Sequence, residues 1–228
     1  MWIGVALVTL AAGLAAPAVA TAGTVKGTVV FKGAVPEARK LPVTIDQYVC
    51  GKEKMAEDLI VSPQGGIRNV VVWIDKPPAT ATAEPLPPAP AMDQKECVFT
   101  PRVVLVPAGG RIDFLNSDRL LHNLHSTPNH NPHFNRTQPR GRTIAITFPQ
   151  PEIIRVTCDL HSWMRGWVVV TEHSFYALTD GEGQFALRGL PPGRYTLRAW
   201  QERLGTTSKE VVVSEPESPP VTLEMTAR

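Results

Sequence analysis

Cys158-Asp159-Leu160-His161-Ser162-Trp163-Met164 lies between two β-branched runs, residues 153–157 and 166–170. A turn that short can point a thiolate, an imidazole and a thioether at one metal ion. That donor set, completed by one more histidine, suits a mononuclear blue-copper site. His122 is the candidate, in Asn116-Ser-Asp-Arg-Leu-Leu-His122-Asn-Leu-His125 just after a β-like run over 103–115. His125, three residues further on, is the alternative. Zinc could use the same Cys and His groups, but a thioether is a poor zinc ligand. Alone, Cys158 reads as a buried thiol and Met164 as a core filler; at this joint spacing, after a strand and before Gly166, the metal reading is stronger. A disulfide-exchange site is the weaker alternative, since no resolving cysteine lies nearby.

Outward from that loop, short β-branched runs between Gly and Pro recur along the chain, and helix signals are almost absent. Residues 24–31, 69–74, 102–106, 143–148, 153–157, 166–170, 184–187, 195–200, 209–213 and 221–225 read as strands, with a short helical turn near Cys50 as the exception. Many short strands predict an all-β fold of sandwich type. The ligand groups then sit at strand ends, which meet at one pole of a sandwich. The Pro-rich stretch 76–90 cannot donate along a ladder and reads as an extended connector, preferably a long loop within the first sandwich.

Phe99-Thr-Pro101, Gly109-Gly110, Asn116-Ser-Asp118, His122-Asn-Leu-His125 and Cys158-x-x-His161-x-x-Met164-x-Gly166 together resemble the cupredoxins over residues 69–170. The ligand loop is similar to the short loop of the amicyanins. The resemblance implies a Greek-key β-sandwich with copper held by His122, Cys158, His161 and the weak axial Met164. It also implies that Asn123 ties the two ligand loops together. Leu160 stands where such loops usually carry Pro, so its N–H is free to bond toward the cysteine sulfur. Farther on, Thr179-Asp180-Gly-Glu-Gly183-Gln-Phe185 and Leu190-Pro-Pro-Gly193-Arg-Tyr195 resemble the carboxypeptidase-regulatory-like modules, of transthyretin-like sandwich form. Fifty residues are few for an independent core. Residues 24–31, similar to the module's opening strand, are a candidate to complete it; two consecutive domains are the competing arrangement.

The expected organisation is an export signal over 1–22, an N-terminal β segment over 23–66, a cupredoxin-like domain over 67–172 and the smaller sandwich over 173–228. Residues 1–20 carry no charged side chain and end in Ala18-Val-Ala20 and Ala20-Thr-Ala22, both fitting a signal-cleavage pattern. The stretch is too short and too rich in Gly, Ala and Pro to favour a membrane span. Export, to a periplasm or its equivalent, bears on the three cysteines. If Cys158 binds metal, Cys50 and Cys97 are left to pair, with two buried free thiols as the alternative.

A formal net charge of +2 over 228 residues gives no reason to expect nucleic acid or an anionic membrane as partner, and without another segment long and apolar enough to cross a bilayer the chain is not expected to be an integral membrane protein. Four of the six histidines fall in 122–133. His130 and His133 offer an extra metal site, though a polar loop of Asn and Pro turns is the plainer reading. Four protein ligands leave no open position for a substrate, so the expected role is a one-electron carrier rather than an enzyme. Its electron would leave at the His161 edge inside a collar of Trp163, Met164 and Trp167, toward a transient redox protein partner. The alternative is a copper-binding, loading or sensing protein that does not shuttle electrons.

Overall fold

The computed structural model describes residues 23–79, 81, 83–86, 90–214 and 218–227; the expected export signal lies outside them. Among these residues no helix is long and apolar enough to cross a membrane. The fold is all-β, and among the described residues one four-residue helix occurs, α1 (Gln47–Cys50).

The first sandwich faces a five-stranded sheet against a four-stranded one. The five-stranded sheet runs β10 (Phe134–Gln138), β9 (His122–Ser126), β12 (Glu152–Thr157), β13 (Arg165–Thr171) and β7 (Val103–Pro107). The other runs β11 (Ile144–Phe148), β8 (Gly110–Asn116), β5 (Ala91–Lys95) and β6 (Val98–Thr100). Period-two alternation decides which side chains face inward. Ile144, Ile146 and Phe148 of β11, Ile112 and Phe114 of β8, and Ile154 and Val156 of β12 are all buried in one core. The parallel pairings β13–β7 and β5–β8 require crossover connections within this sandwich.

The second sandwich packs β15 (Gln184–Leu190), β1 (Gly23–Phe31) and β18 (Val221–Met225) over a second sheet. That sheet is β14 (Tyr176–Leu178), β4 (Val71–Asp75), β16 (Gly193–Gln201) and β17 (Gly205–Val213). β1 pairs antiparallel with β15 and parallel with β18. The remainder of the N-terminal segment goes elsewhere. β2 (Lys40–Pro42) and β3 (Glu53–Met55) form a ribbon around α1, and Val43 and Cys50 from it enter the first core.

One expectation is corrected. Residues 69–74 were expected to open the first sandwich, but β4 pairs with β14 and β16 in the second. The boundary between the two sandwiches therefore falls after β4, between Asp75 and Ala91, and not before residue 69. β4 is apolar on both faces, and that is why its sequence does not disclose its partners. Val72 and Ile74 enter the second core, while Val71 and Trp73 join Val103, Val169, Leu105 and Trp167 in a cluster between the sandwiches.

Sheet β13 is covered on both faces for the same reason: Val168 and Val170 point into the first core and Val169 toward the second sandwich. Runs of uninterrupted valine are what such two-sided burial requires. Trp167 meets Trp200 edge to face at 5.0 Å between ring centroids. Beside them, Arg102 grips Glu202 with Nε–Oε1 at 2.6 Å and Nη2–Oε2 at 3.0 Å. Their side chains are only 10% and 6% exposed. A forked, nearly dry pair of this kind is costly to break from one side, because the survivor is left charged and buried. Glu202→Ala is expected to lower unfolding stability by about 3 kcal/mol in a urea titration. Glu84→Ala, which removes an exposed ion pair to Arg188, should leave the midpoint close to wild type.

Candidate metal centre

Two strand ends and one loop make the centre. β9 begins at His122 rather than following a loop that carries it, and β12 ends at Thr157, directly before Cys158. Thr157 pairs with His125, which sets these two ends side by side. The loop after Cys158 folds back on itself, with the Met164 N–H donating to the His161 carbonyl at 2.9 Å. This turn brings His161 round beneath the cysteine.

The outcome is a buried triangle. His122 Nδ1 lies 2.9 Å from His161 Nδ1. Cys158 Sγ lies 3.5 Å from His161 Nδ1 and 3.9 Å from His122 Nδ1. All three residues are buried, and Met164 beside them is 1% exposed. His125 is turned away from this cluster: its Nδ1 meets Asp159 Oδ1 at 2.7 Å. The side chains of adjacent β9 residues alternate in direction, so His122 and Leu124 face inward while Asn123 and His125 meet Asp159 instead.

Asn123 joins the two segments that carry His122 and Cys158. Its Oδ1 accepts the Asp159 N–H at 2.6 Å, and its Nδ2 donates to Asp159 Oδ2 and Asn135 Oδ1. Asn123→Ala should cost the metal-free protein about 1–2 kcal/mol by urea unfolding, since it strands donors and acceptors of a part-buried net.

Each ring's outer nitrogen is occupied by a carboxylate. His122 Nε2 donates to Asp118 Oδ2 at 2.9 Å, and Asp118 also accepts the N–H groups of Glu96 and Cys97. His161 Nε2 donates to Asp46 Oδ2 at 3.1 Å. With both Nε2 atoms acting as donors, both Nδ1 atoms turn inward toward the sulfur.

Burial disfavours a charged His122, but its hydrogen bonds to Asp118 and Cys158 and their negative charges prevail. Its pKa rises from 6.5 to about 9. Burial also works to raise the Cys158 thiol. The His122 ring and the N–H groups of Asn123, Leu160 and His161 outweigh that and lower it. The Leu160 N–H, which a proline would lack, is thus one of the groups that steady the thiolate. Burial, joined by the His122 charge, lowers the pKa of His161. One cysteine sulfur and two imidazole nitrogens, buried together, form a soft, cation-seeking donor set. The residues fit a copper ion.

Sequence reasoning overlooked two of these groups. Asp118 stood in the quoted Asn116-Ser-Asp118 motif, four residues before His122, and was legible there. Asp46 had no such signal, because it is 115 residues from the ring it meets. Cys50 and Cys97 form a disulfide, and Cys158 is the free cysteine.

The expected exit for an electron differs from the structure. His161 is fully buried, with no ring edge at the surface. Trp163 sits 5.2 Å from it, half-buried, donating to the Cys97 carbonyl. Trp167 faces the other way, packed on Trp200, because β13 alternates.

The His-rich loop is held by hydrogen bonds. Glu152 accepts from the Asn129 and His130 N–H groups and from the Asn131 side chain, and His133 Nε2 donates to the Pro128 carbonyl at 2.7 Å. Burial works to raise the pKa of Glu152, but these bonds lower it below its ordinary 4.5. A folded-state pKa below the unfolded one gives stability that is present above 4.5 and lost as pH falls through the lowered value. Glu152→Gln should therefore lower stability at neutral pH and leave the acid end little changed, which flattens the acid limb of a stability–pH curve.

Residues 166–226 match the carboxypeptidase regulatory-like domain family. A search of curated proteins returned no match. Among solved structures, a reduced amicyanin variant is 21% identical over 44% of this chain and 98% of its own, with a TM-score of 0.35. A purple cupredoxin from Nitrosopumilus maritimus is 19% identical over 36% of this chain and 99% of its own, TM-score 0.32. The Cu-containing nitrite reductase of Thermus scotoductus SA-01 is 23% identical over 43% of this chain, TM-score 0.35, and the match spans 26% of that enzyme's length.

Proposed function

We propose that this chain is an exported type 1 copper protein that carries single electrons. In this reading His122, Cys158 and His161 are the strong ligands and Met164 the weak axial one. The observation that carries it is the convergence of two Nδ1 atoms and one sulfur, all within 4.8 Å and all buried. Copper held there supplies a one-electron Cu(II)/Cu(I) couple. The protein's part is to fix the donors in advance and keep water out. Asp118 and Asp46 hold the rings, Asn123 ties β9 to the ligand loop, and the sandwich core backs the whole set.

Export is supported by the signal-like residues 1–22 and by the Cys50–Cys97 disulfide, which persists in an oxidising compartment. A docking face for a transient redox partner is supported by exposed apolar side chains beside the site. Leu121 and Leu160 each adjoin a ligand histidine, and Ile45 and Tyr48 flank Asp46. Trp163, between His161 and a cleft lined by Lys54 and Arg165, is the ring available to relay charge outward. The second sandwich serves packing and contact, through the Trp167–Trp200 and Arg102–Glu202 pairs.

A second reading, a copper-holding or sensing protein that does not shuttle electrons, is favoured by the buried His161 edge. Copper reconstitution followed by stopped-flow oxidation of the reduced form separates the two: turnover slower than seconds removes the carrier. The common ground is tested by colour. One copper per chain and an intense thiolate-to-copper band are expected, and Cys158→Ser should abolish that band with at least about a tenfold loss of affinity. A colourless wild type after reductive pretreatment and copper loading would sink both readings.

A further inference from the structure

The outer edge of His161 is closed by a segment from far away in sequence, and that closure is built rather than incidental. Residues 40–55 form the β2–β3 ribbon with α1 at its tip. Val43 and Cys50 sink into the first core, Val49 packs against it, and the Cys50–Cys97 disulfide tethers the tip. Asp46 sits just before α1 in the left-handed region, φ 55 and ψ 31. Its carbonyl accepts the N–H groups of Val49 and Cys50 at 3.0 Å each. Asp and Asn tolerate this conformation better than other side chains, Gly excepted. It leaves the carboxylate directed at His161 Nε2, 3.1 Å away.

The same disulfide reaches the other ring. Cys97 N–H and Glu96 N–H hold Asp118 at 2.8 and 2.6 Å, and Asp118 holds His122. One crosslink therefore anchors both carboxylates that orient the two imidazoles.

We propose that Asp46 is a positioning residue of the centre. Its carboxylate takes the Nε2 proton of His161, which fixes the tautomer that turns the Nδ1 lone pair inward, and the tethered ribbon shuts that ring edge from solvent. The inference rests on the copper reading for its redox consequence but not for its geometry. A carboxylate behind a ligating imidazole makes the ring a stronger donor and favours the higher charge on the metal. Asp46 therefore tilts the site toward Cu(II).

Two variants preserve the backbone. Asp46→Asn keeps an acceptor oxygen and removes the charge; Asp46→Gly removes the side chain where glycine is at ease. In metal-free, 15N-labelled protein, wild-type His161 should be the Nε2–H tautomer with a slowly exchanging proton, and Asp46→Gly should lose that slow exchange. A wild-type Nδ1–H tautomer, or unchanged exchange in Asp46→Gly, overturns the proposal. In copper-loaded protein, Asp46→Asn should shift the preference toward Cu(I) by roughly tenfold, which for one electron is about 59 mV upward in potential. An unchanged potential with the band intact overturns the redox role. Wild type that takes up no copper sinks the copper reading instead, and the metal-free experiment alone then decides the place of Asp46.

Discussion

Polar atoms withdrawn from water must find partners, and the pole of the first sandwich is arranged around that constraint. Two imidazoles and a thiol lie buried together, an expensive grouping unless each lone pair and each proton is accounted for. Around the rim the accounting is complete within the protein: Asp118 and Asp46 take the outer ring protons, and backbone N–H groups face the sulfur. At the centre, three donors face one another across 2.9 to 3.9 Å with room for a shared cation.

The rigidity behind those donors comes from sheets covered on both sides. β13 and β7 hold the first core on one face and the second sandwich on the other, with aromatic rings and one buried ion pair at the joint. β13 begins one residue after Met164, so the ligand loop inherits the fixity of its strand. The second sandwich thus bears on the site mechanically, through the strand that it covers, with no ligand of its own.

The N-terminal segment is divided between the two bodies. β1 completes the second sandwich, and the ribbon after it crosses to the first, where it closes over His161. This division changes the character of the centre. The His161 ring, expected at the surface, is enclosed, while its sequence neighbour Leu160 and the ribbon's Ile45 and Tyr48 are exposed. Trp163 packs against the enclosed ring and donates to the Cys97 carbonyl.

Local chemistry determined much of this directly. Period-two patterns marked the main strands, because alternation along a strand needs no knowledge of its partners. The Cys158–Met164 spacing marked the ligand loop, because a seven-residue turn confines its own side chains. Short or polar strands such as β2, β3, β10 and β14 carry too little pattern to be seen alone. Which sheet would receive β4 was undetermined, since a strand apolar on both faces fits equally well in either. His122 rather than His125 in the cluster, the covered edge of His161 and its bond to Asp46 were settled only in three dimensions. They depend on register and on a crosslink between residues 47 positions apart, and contacts of that range leave no periodicity in the chain to read.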